Sequence, residues 1–331
     1  MDGNTTLQAQ HDALLLDLDG TVWEGGRAIP HAVEAINASG CKAIYITNNA
    51  SRAVSRVAAM LQDIGLNAAE ADVLTSAQAA LGLAEGVLEP GDPVLVLGAQ
   101  PFKDLVRDAG YQVTDSADDA PKAVLHGHNP DTGWAELSEA ALAIRAGAVY
   151  LASNMDTTLP MERGLMVGNG SMIAAVTSAT GVTPRSAGKP EPAMFHQAAE
   201  RFGAKSPLGI GDRLDTDLAG GVAAGMPTLH VLTGVSGPLA LLQAPPEQHP
   251  TYIGEDMRAL AADPATLRPG AQGGFQARME GDELVVDGGE EASTSVQALR
   301  TALEVAWAQP TGPRNVRAAS TEAEVALAKW W

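Results

Sequence analysis

Cysteine is nearly missing from this 331-residue chain, which holds only Cys41. One thiol cannot close a disulfide within the chain, so a disulfide-stapled secreted framework is excluded. Cys41 lies just before the apolar run Ala43–Ile46, where a small buried filler is its expected role. Basic residues are also scarce: Lys and Arg number 21 against 40 Asp and Glu, and the formal net charge is −19. Nucleic-acid binding needs a basic face, and no Lys/Arg cluster supplies one, so no nucleic-acid partner is expected. The acidity itself favours solubility. No apolar run approaches the roughly 20 residues that a bilayer span requires. The opening stretch MDGNTTLQAQ is polar and has no apolar signal core. A cytoplasmic protein with no membrane partner is therefore expected. An apolar content of 45% makes a folded chain the default.

The most informative stretch is Leu14-Leu15-Leu16-Asp17-Leu18-Asp19-Gly20-Thr21. Ala13–Leu16 reads as a buried strand that ends on one carboxylate and, after one residue, presents a second. Gly20 permits a sharp turn and Thr21 offers a hydroxyl. Two acids at the end of a buried strand are costly without a cation or a catalytic task. Open α/β sheets place their ligands at such strand ends. The run points to phosphoryl transfer built on Mg2+ and an aspartyl nucleophile.

The pattern around it alternates strand and helix. Strands are expected at Ala13–Leu16 and Ala43–Ile46, with helices at His31–Ser39 and Ser51–Ile64. Val54, Val57, Ala58, Leu61 and Ile64 form the apolar stripe of the second helix. A further set of strands, Val94–Leu97, Ala123–Leu125 and Ala148–Ala152, has helices around Pro101–Ala109 and Trp134–Arg145. A loop spans Asn154 to Gly170. After Lys189 the first style resumes, with helix Ala193–Phe202, strand Leu208–Ile210, helix Asp217–Ala224 and strand Thr228–Leu232. This predicts an α/β fold: a doubly wound, Rossmann-like parallel sheet core split by an inserted α/β domain. From about Pro269 a small C-terminal extension begins, with strand Glu283–Asp287 and helices Ser295–Trp307 and Thr321–Trp331. The expected domains are 1–80 with 183–265, an inserted domain at 81–182, and the extension at 270–331.

Four pieces carry the residue types that one reaction needs. Asp17 can attack phosphorus and split one displacement into two. Asp19 can protonate the leaving alkoxide and later deprotonate water. In Tyr45-Ile46-Thr47-Asn48-Asn49, the hydroxyl of Thr47, the amide of Asn48 and nearby backbone N–H groups suit a phosphate. Lys189, in Gly188-Lys189-Pro190, offers charge to the transferring phosphoryl group. In Gly211-Asp212-Arg213-Leu214-Asp215-Thr216-Asp217, hard oxygen donors suit Mg2+. Each piece alone has a plainer role: a turn, a strand-end cap, a surface lysine or a helix N-terminal acid. Their conjunction at strand ends favours the catalytic reading.

Together DLDGT, ITNN, GKP and GDRLDTD, in this order, resemble the haloacid dehalogenase superfamily phosphatases. The match is to the 4-nitrophenylphosphatase-like branch, which has a large α/β cap inserted after the second motif, and it covers about Ala13 to Met257. The resemblance implies Asp17 as nucleophile, Asp19 as general acid/base, and Thr47 and Lys189 at the phosphate, beside the Asn48 that the residues themselves suggest. It implies Asp17, the backbone carbonyl of Asp19, and Asp212 as Mg2+ ligands, with Asp217 acting through them. An acid at Asp19 separates phosphatases from the dehalogenases and transport ATPases of the fold.

The inserted domain is expected to choose the substrate. Ser153–Pro160 resembles the specificity loop of related phosphatases, which assigns Asn154, Asp156 and Leu159 to the leaving group. The pyridoxal phosphate branch has His where Leu159 stands, so a smaller, non-aromatic substrate is favoured. The appended region resembles that of the actinobacterial glycerol 3-phosphate phosphatases. A Mg2+-dependent phosphomonoesterase acting on a small phosphorylated metabolite, with glycerol 3-phosphate first, is therefore expected. Phosphoglycolate, sugar phosphates, nucleotides and aryl phosphates remain alternatives, as does a catalytically silent binding protein. A homodimer is one assembly open to it. Ser171 is read as a helix N-cap. His126 and His128 lack an evident third metal ligand. Trp23 suits either a flap over the site or the core.

Overall fold

The structure of the chain is a computed structural model, and it describes residues 6–161 and 163–331. Two compact units form. One holds the chain up to Ile44, with Asp63–Asn67 and Ala199–Trp331; the other holds Tyr45–Gln62 and Ala68–Ala198. The strand Lys42–Thr47 carries the chain from the first unit into the second.

In the first unit the four buried residues Ala13–Leu16 pair in parallel with Pro207–Gly211. That strand pairs with Thr228–Val231, and Thr228–Val231 with Tyr252–Gly254, again in parallel. Continuous apolar runs are what a parallel sheet covered on both faces requires. Because the strands are parallel, their carboxyl ends lie along one edge. Asp17 follows one strand there, Asp212 the next, and Leu232-Thr233-Gly234 the third.

The C-terminal residues of this unit add a small sheet. Phe275–Glu280 runs antiparallel to Glu283–Gly288, which pairs in parallel with Asn315–Ala318. Helix Ser295–Ala306 lies between the two parallel strands in sequence, and Thr321–Leu327 follows. Phe275, Leu299, Leu303 and Trp330 share one apolar core with Leu214, Leu218, Leu241 and Ile253. Trp307 stacks on His249 at 3.9 Å and donates its indole N–H to the Leu241 carbonyl.

The second unit has its own parallel sheet. Its order is Arg185–Ser186, Val149–Ala152, Ala123–His126, Pro93–Leu97, Gln112–Thr114. The end of strand Lys42–Thr47 pairs separately with Val73–Thr75. The segment expected as a loop from Asn154 to Gly170 contains a hairpin, Thr158–Met161 with Gly164–Val167. Leu165 and Val167 are exposed, so no buried alternation marked these strands in the sequence.

The α/β class is as expected, and several boundaries move. The expected helix Ser51–Ile64 spans Val54–Asp63. The expected helix Asp217–Ala224 is a π-turn, Leu214–Leu218, followed by Ala219–Ala223. Ser171 is not an N-cap: helix Asn169–Thr180 is capped at Gly168, and the Ser171 hydroxyl donates to the Thr157 carbonyl at 2.7 Å. Trp23 is core, fully buried. Cys41 is half-buried and directs its thiol at the Gln8 and His11 carbonyls. Among the described residues no helix is long and apolar enough to cross a membrane.

Candidate active site

In the first unit, Asp17 continues the ladder of its strand, with its N–H donating to the Ile210 carbonyl at 2.9 Å. Across the strand ends, one carboxylate oxygen from each of Asp17, Asp212 and Asp217 lies within 4.8 Å of the others. Asp212 is fully buried and Asp217 nearly so. Asp17, at the end of its strand, is half-buried.

Asp212 is held from several sides. Thr21 donates its hydroxyl to Oδ1 at 3.2 Å, and the Val235 N–H donates to Oδ2 at 2.6 Å. The Ser236 N–H donates to its main-chain carbonyl at 3.1 Å. Two glycines make room for it: a Cβ on Gly20 would lie 2.4 Å from Asp212 Oδ2, and one on Gly234 2.0 Å. Gly20 also has φ +93°, which other residues rarely adopt. Asp217 is held by the Arg213 N–H, which donates to Oδ2 at 3.1 Å.

Three carboxylates this close repel one another in a medium of low dielectric, and burial penalises each charge further. A divalent cation removes both penalties. The donors are all hard oxygens, a set that Mg2+ takes together with water and phosphate oxygens. The residues present therefore fit Mg2+. Among the described residues no other group of three ligating side chains comes together.

Asp19 lies outside that group of ligand atoms. Its exposed carboxylate accepts the Trp23 indole N–H on Oδ1 at 2.9 Å. Buried Trp23 thus helps to fix the direction of that side chain.

The second unit gathers the other expected residues around Asn48. The Asn48 Nδ2 donates to both Asp156 oxygens at 3.2 Å and to the Lys189 carbonyl at 3.0 Å. Its Oδ1 accepts the Lys189 N–H at 2.8 Å. Asn154 donates to the Asn48 carbonyl at 2.8 Å and accepts the Asp156 N–H at 3.2 Å. Three segments remote in sequence thus meet at one amide. Lys189 is buried, and its Nζ donates to the Ile46 carbonyl at 3.3 Å. Thr47 is buried, and its hydroxyl accepts the Asn49 N–H at 3.1 Å. Leu159 is apart from this cluster of bonds, in the hairpin, opposite Met166.

His126 is a core residue, with Nδ1 2.8 Å from the Tyr150 hydroxyl, and burial pushes its imidazole down to about 4. Asp215, which falls between Asp212 and Asp217, turns to solvent and pairs with Arg213 at 2.9 Å. The sequence reading missed Thr233, Val235 and Ser236. The available signal was a run of small residues, Thr-Gly-Val-Ser, closing the third buried strand.

Two family models match the chain: haloacid dehalogenase-like hydrolase over residues 14–112, and HAD-hydrolase-like over residues 186–260. The chain is 41% identical to the D-glycerol 3-phosphate phosphatase of Mycobacterium tuberculosis, over 98% of this chain and 95% of that protein. It is 36% identical to the acid sugar phosphatase of Staphylococcus aureus, over 69% of this chain and 88% of that one. A crystal structure of the glycerol phosphate phosphatase from M. tuberculosis in complex with magnesium superposes with a TM-score of 0.93 and covers 98% of both chains. A 4-nitrophenylphosphatase from Thermotoga maritima superposes at 0.71 with 25% identity, covering 77% of this chain and 98% of that one.

Proposed function

The chain belongs to the haloacid dehalogenase-like hydrolases, and we propose that it is a Mg2+-dependent phosphomonoesterase whose preferred substrate is glycerol 3-phosphate. The observation that carries this is the gathering of Asp17, Asp212 and Asp217 at adjacent strand ends. Similarity to a D-glycerol 3-phosphate phosphatase along 98% of the chain supports the substrate.

In this reading an Asp17 carboxylate oxygen attacks phosphorus as the bond to the glycerol oxygen breaks. Asp19 gives its proton to the departing alkoxide, then takes one from the water that attacks the aspartyl-phosphate. Phosphate leaves and both aspartates return to their starting states. Thr47, backbone N–H groups about Asn48, and Lys189 bind the phosphoryl oxygens and offset their charge. Asp17, the Asp19 carbonyl and Asp212 would hold Mg2+, and Asp217 steadies that arrangement through the Arg213 N–H. Bound there, Mg2+ neutralises the phosphoryl oxygens and eases the approach of an anionic nucleophile. Asn154, Asp156 and Leu159 face the leaving group. We assign residues 1–80 and 183–265 to the catalytic core, 81–182 to a substrate-selecting cap and 270–331 to an extension. The activity belongs in the cytoplasm, the reducing compartment that a single cysteine suits.

Phosphate release across a panel of phosphomonoesters tests the reading, with and without Mg2+, for the wild type and Asp17→Asn. Glycerol 3-phosphate should give the highest kcat/KM. Chelation should abolish turnover, and Asp17→Asn should lower kcat by at least ~10³-fold with the fold intact, since an amide cannot form the acyl-phosphate. A higher efficiency on phosphoglycolate or sugar phosphates would move the substrate and keep the chemistry. An active Asp17→Asn would end the nucleophile assignment.

A further inference from the structure

The strand Thr228–Val231 is fully buried, and its third residue is a histidine. A buried parallel strand normally takes an apolar side chain there. In the register His230 sits beside Gly211, the residue before Asp212. Its Nε2 lies 2.8 Å from the Ser236 carbonyl. A carbonyl only accepts, so Nε2 carries the proton and donates. Nδ1 is buried with no hydrogen-bond partner among the described residues. Burial pushes the imidazole down to about 4, so the ring is neutral near pH 7. An apolar residue would avoid the unpaired nitrogen. What histidine adds at this position is the single Nε2–H bond.

That bond fastens the segment that holds Asp212. Ser236 passes its main-chain N–H to the Asp212 carbonyl at 3.1 Å, and its hydroxyl oxygen accepts the Leu214 N–H at 3.1 Å. Leu214 opens the π-turn that contains Asp217. One residue earlier, the Val235 N–H grips Asp212 Oδ2 at 2.6 Å. Thr233 donates its hydroxyl to the Gly20 carbonyl at 2.6 Å, in the turn after Asp19. The segment 233–236 therefore touches the Asp19-Gly20 turn, Asp212 and the start of the Asp217 turn. His230 is the side chain that ties it back to the sheet.

We propose that His230 is a positioning residue for the Mg2+ ligands: through the Ser236 carbonyl it holds the 233–236 segment on Asp212, and so sets the affinity of the carboxylate group for the cation. This rests on the Mg2+ reading above. Residues that orient metal ligands from behind typically change affinity by roughly 10–100-fold when replaced.

The test uses the full chain and Mg2+ alone, read as the Mg2+-dependent rise in melting temperature and as the half-activating Mg2+ concentration. The variants are His230→Leu, His230→Gln and His230→Asn. The glutamine amide nitrogen falls near the imidazole Nε2 and keeps a donor for Ser236, whereas the asparagine amide falls near Nδ1 and does not. The Mg2+ midpoint should rise roughly tenfold in His230→Leu and His230→Asn and stay within about threefold of wild type in His230→Gln. A merely structural histidine would lower the metal-free melting temperature in all three and leave the Mg2+ midpoint alone, which would overturn the proposal. Equal midpoints in Gln and Asn variants would overturn it too. If His230→Leu does not fold, His230→Asn against His230→Gln carries the same test: a midpoint about tenfold higher in the Asn variant is expected, and equal midpoints refute the coupling. A wild type indifferent to Mg2+ would overturn the metal reading itself and this proposal with it. A responsive wild type whose midpoint is unchanged in His230→Leu and His230→Asn overturns the proposal alone.

Discussion

At Asp19 the Trp23 indole helps to set the orientation of the carboxylate. Oδ1 is occupied by the Trp23 indole N–H at 2.9 Å. In the proposed mechanism this carboxyl gives a proton to the leaving group and collects one from water. Asp19→Asn keeps the size and can keep the Trp23 contact, yet it can neither give nor take that proton. The cost depends on how much proton the leaving group needs. Glycerol leaves as a poor alkoxide, and an aryl oxide leaves well without help. Asp19→Asn should lower kcat/KM by ~10²–10⁴-fold on glycerol 3-phosphate and by about tenfold on an aryl phosphate. Steady-state rates on both substrates check it, and equal losses would remove the acid role. Asp17, Asp19 and Asp212 stood out in the sequence because each ends or follows an apolar run. Thr233, Val235 and Ser236 did not, since two of them act through main-chain groups that any residue carries. His230 was hidden differently, inside a strand where one polar letter among apolar ones reads as noise.

At the scale of elements, legibility follows burial. Strands such as Ala13–Leu16 and Ala123–His126 are covered on both faces and appear as unbroken apolar runs. Phe275–Glu280, sequence FQARME, alternates buried and exposed and carries charge outward, and no strand is expected there from the sequence. The π-turn Leu214–Leu218 starts three residues before the expected helix Asp217–Ala224, because one extra residue per turn leaves no mark on composition. The hairpin Thr158–Val167 was the largest omission, and it is the element that presents Leu159. Its pairing partner Met166 and the neighbours Leu165 and Val167 are exposed, an apolar surface that a substrate-selecting element can use. In the proposed reading the core holds only the phosphoryl group common to all phosphomonoesters, so discrimination falls to such residues. Leu159→His should shift the ratio of efficiencies, glycerol 3-phosphate over aryl phosphate, toward the aryl substrate by about 1–2 kcal/mol. An unchanged ratio would detach the hairpin from the leaving group.

For the whole molecule, each compact unit buries one neutral histidine, His126 in one and His230 in the other. Both are pushed down to about 4 by burial, from 6.5 in the unfolded chain. Between those two values the unfolded state binds protons that the folded state refuses, so folding stability falls as pH falls. The contribution is fully present above about pH 6.5 and is lost progressively toward pH 4. At full effect each histidine costs about 1.4 kcal/mol per pH unit across that window. His11 and His128 are lowered by burial as well and add to the same fall. The carboxyl of Asp256 is held below the usual range by Arg258, against an opposing burial effect, so its contribution is lost only at more acid pH. Arg300, a buried residue of helix Ser295–Ala306 whose guanidinium donates to the Ile253 carbonyl, stays charged throughout, its value lowered by burial only to about 10. Urea midpoints, taken with chelator at pH 7.5, 6 and 5, should therefore drop steadily. His126→Asn should flatten the drop by about one proton's worth, because asparagine can meet the Tyr150 hydroxyl and does not titrate. A profile as steep in His126→Asn as in the wild type would mean that the acid sensitivity comes from elsewhere, with the carboxylate cluster at the strand ends as the first place to look.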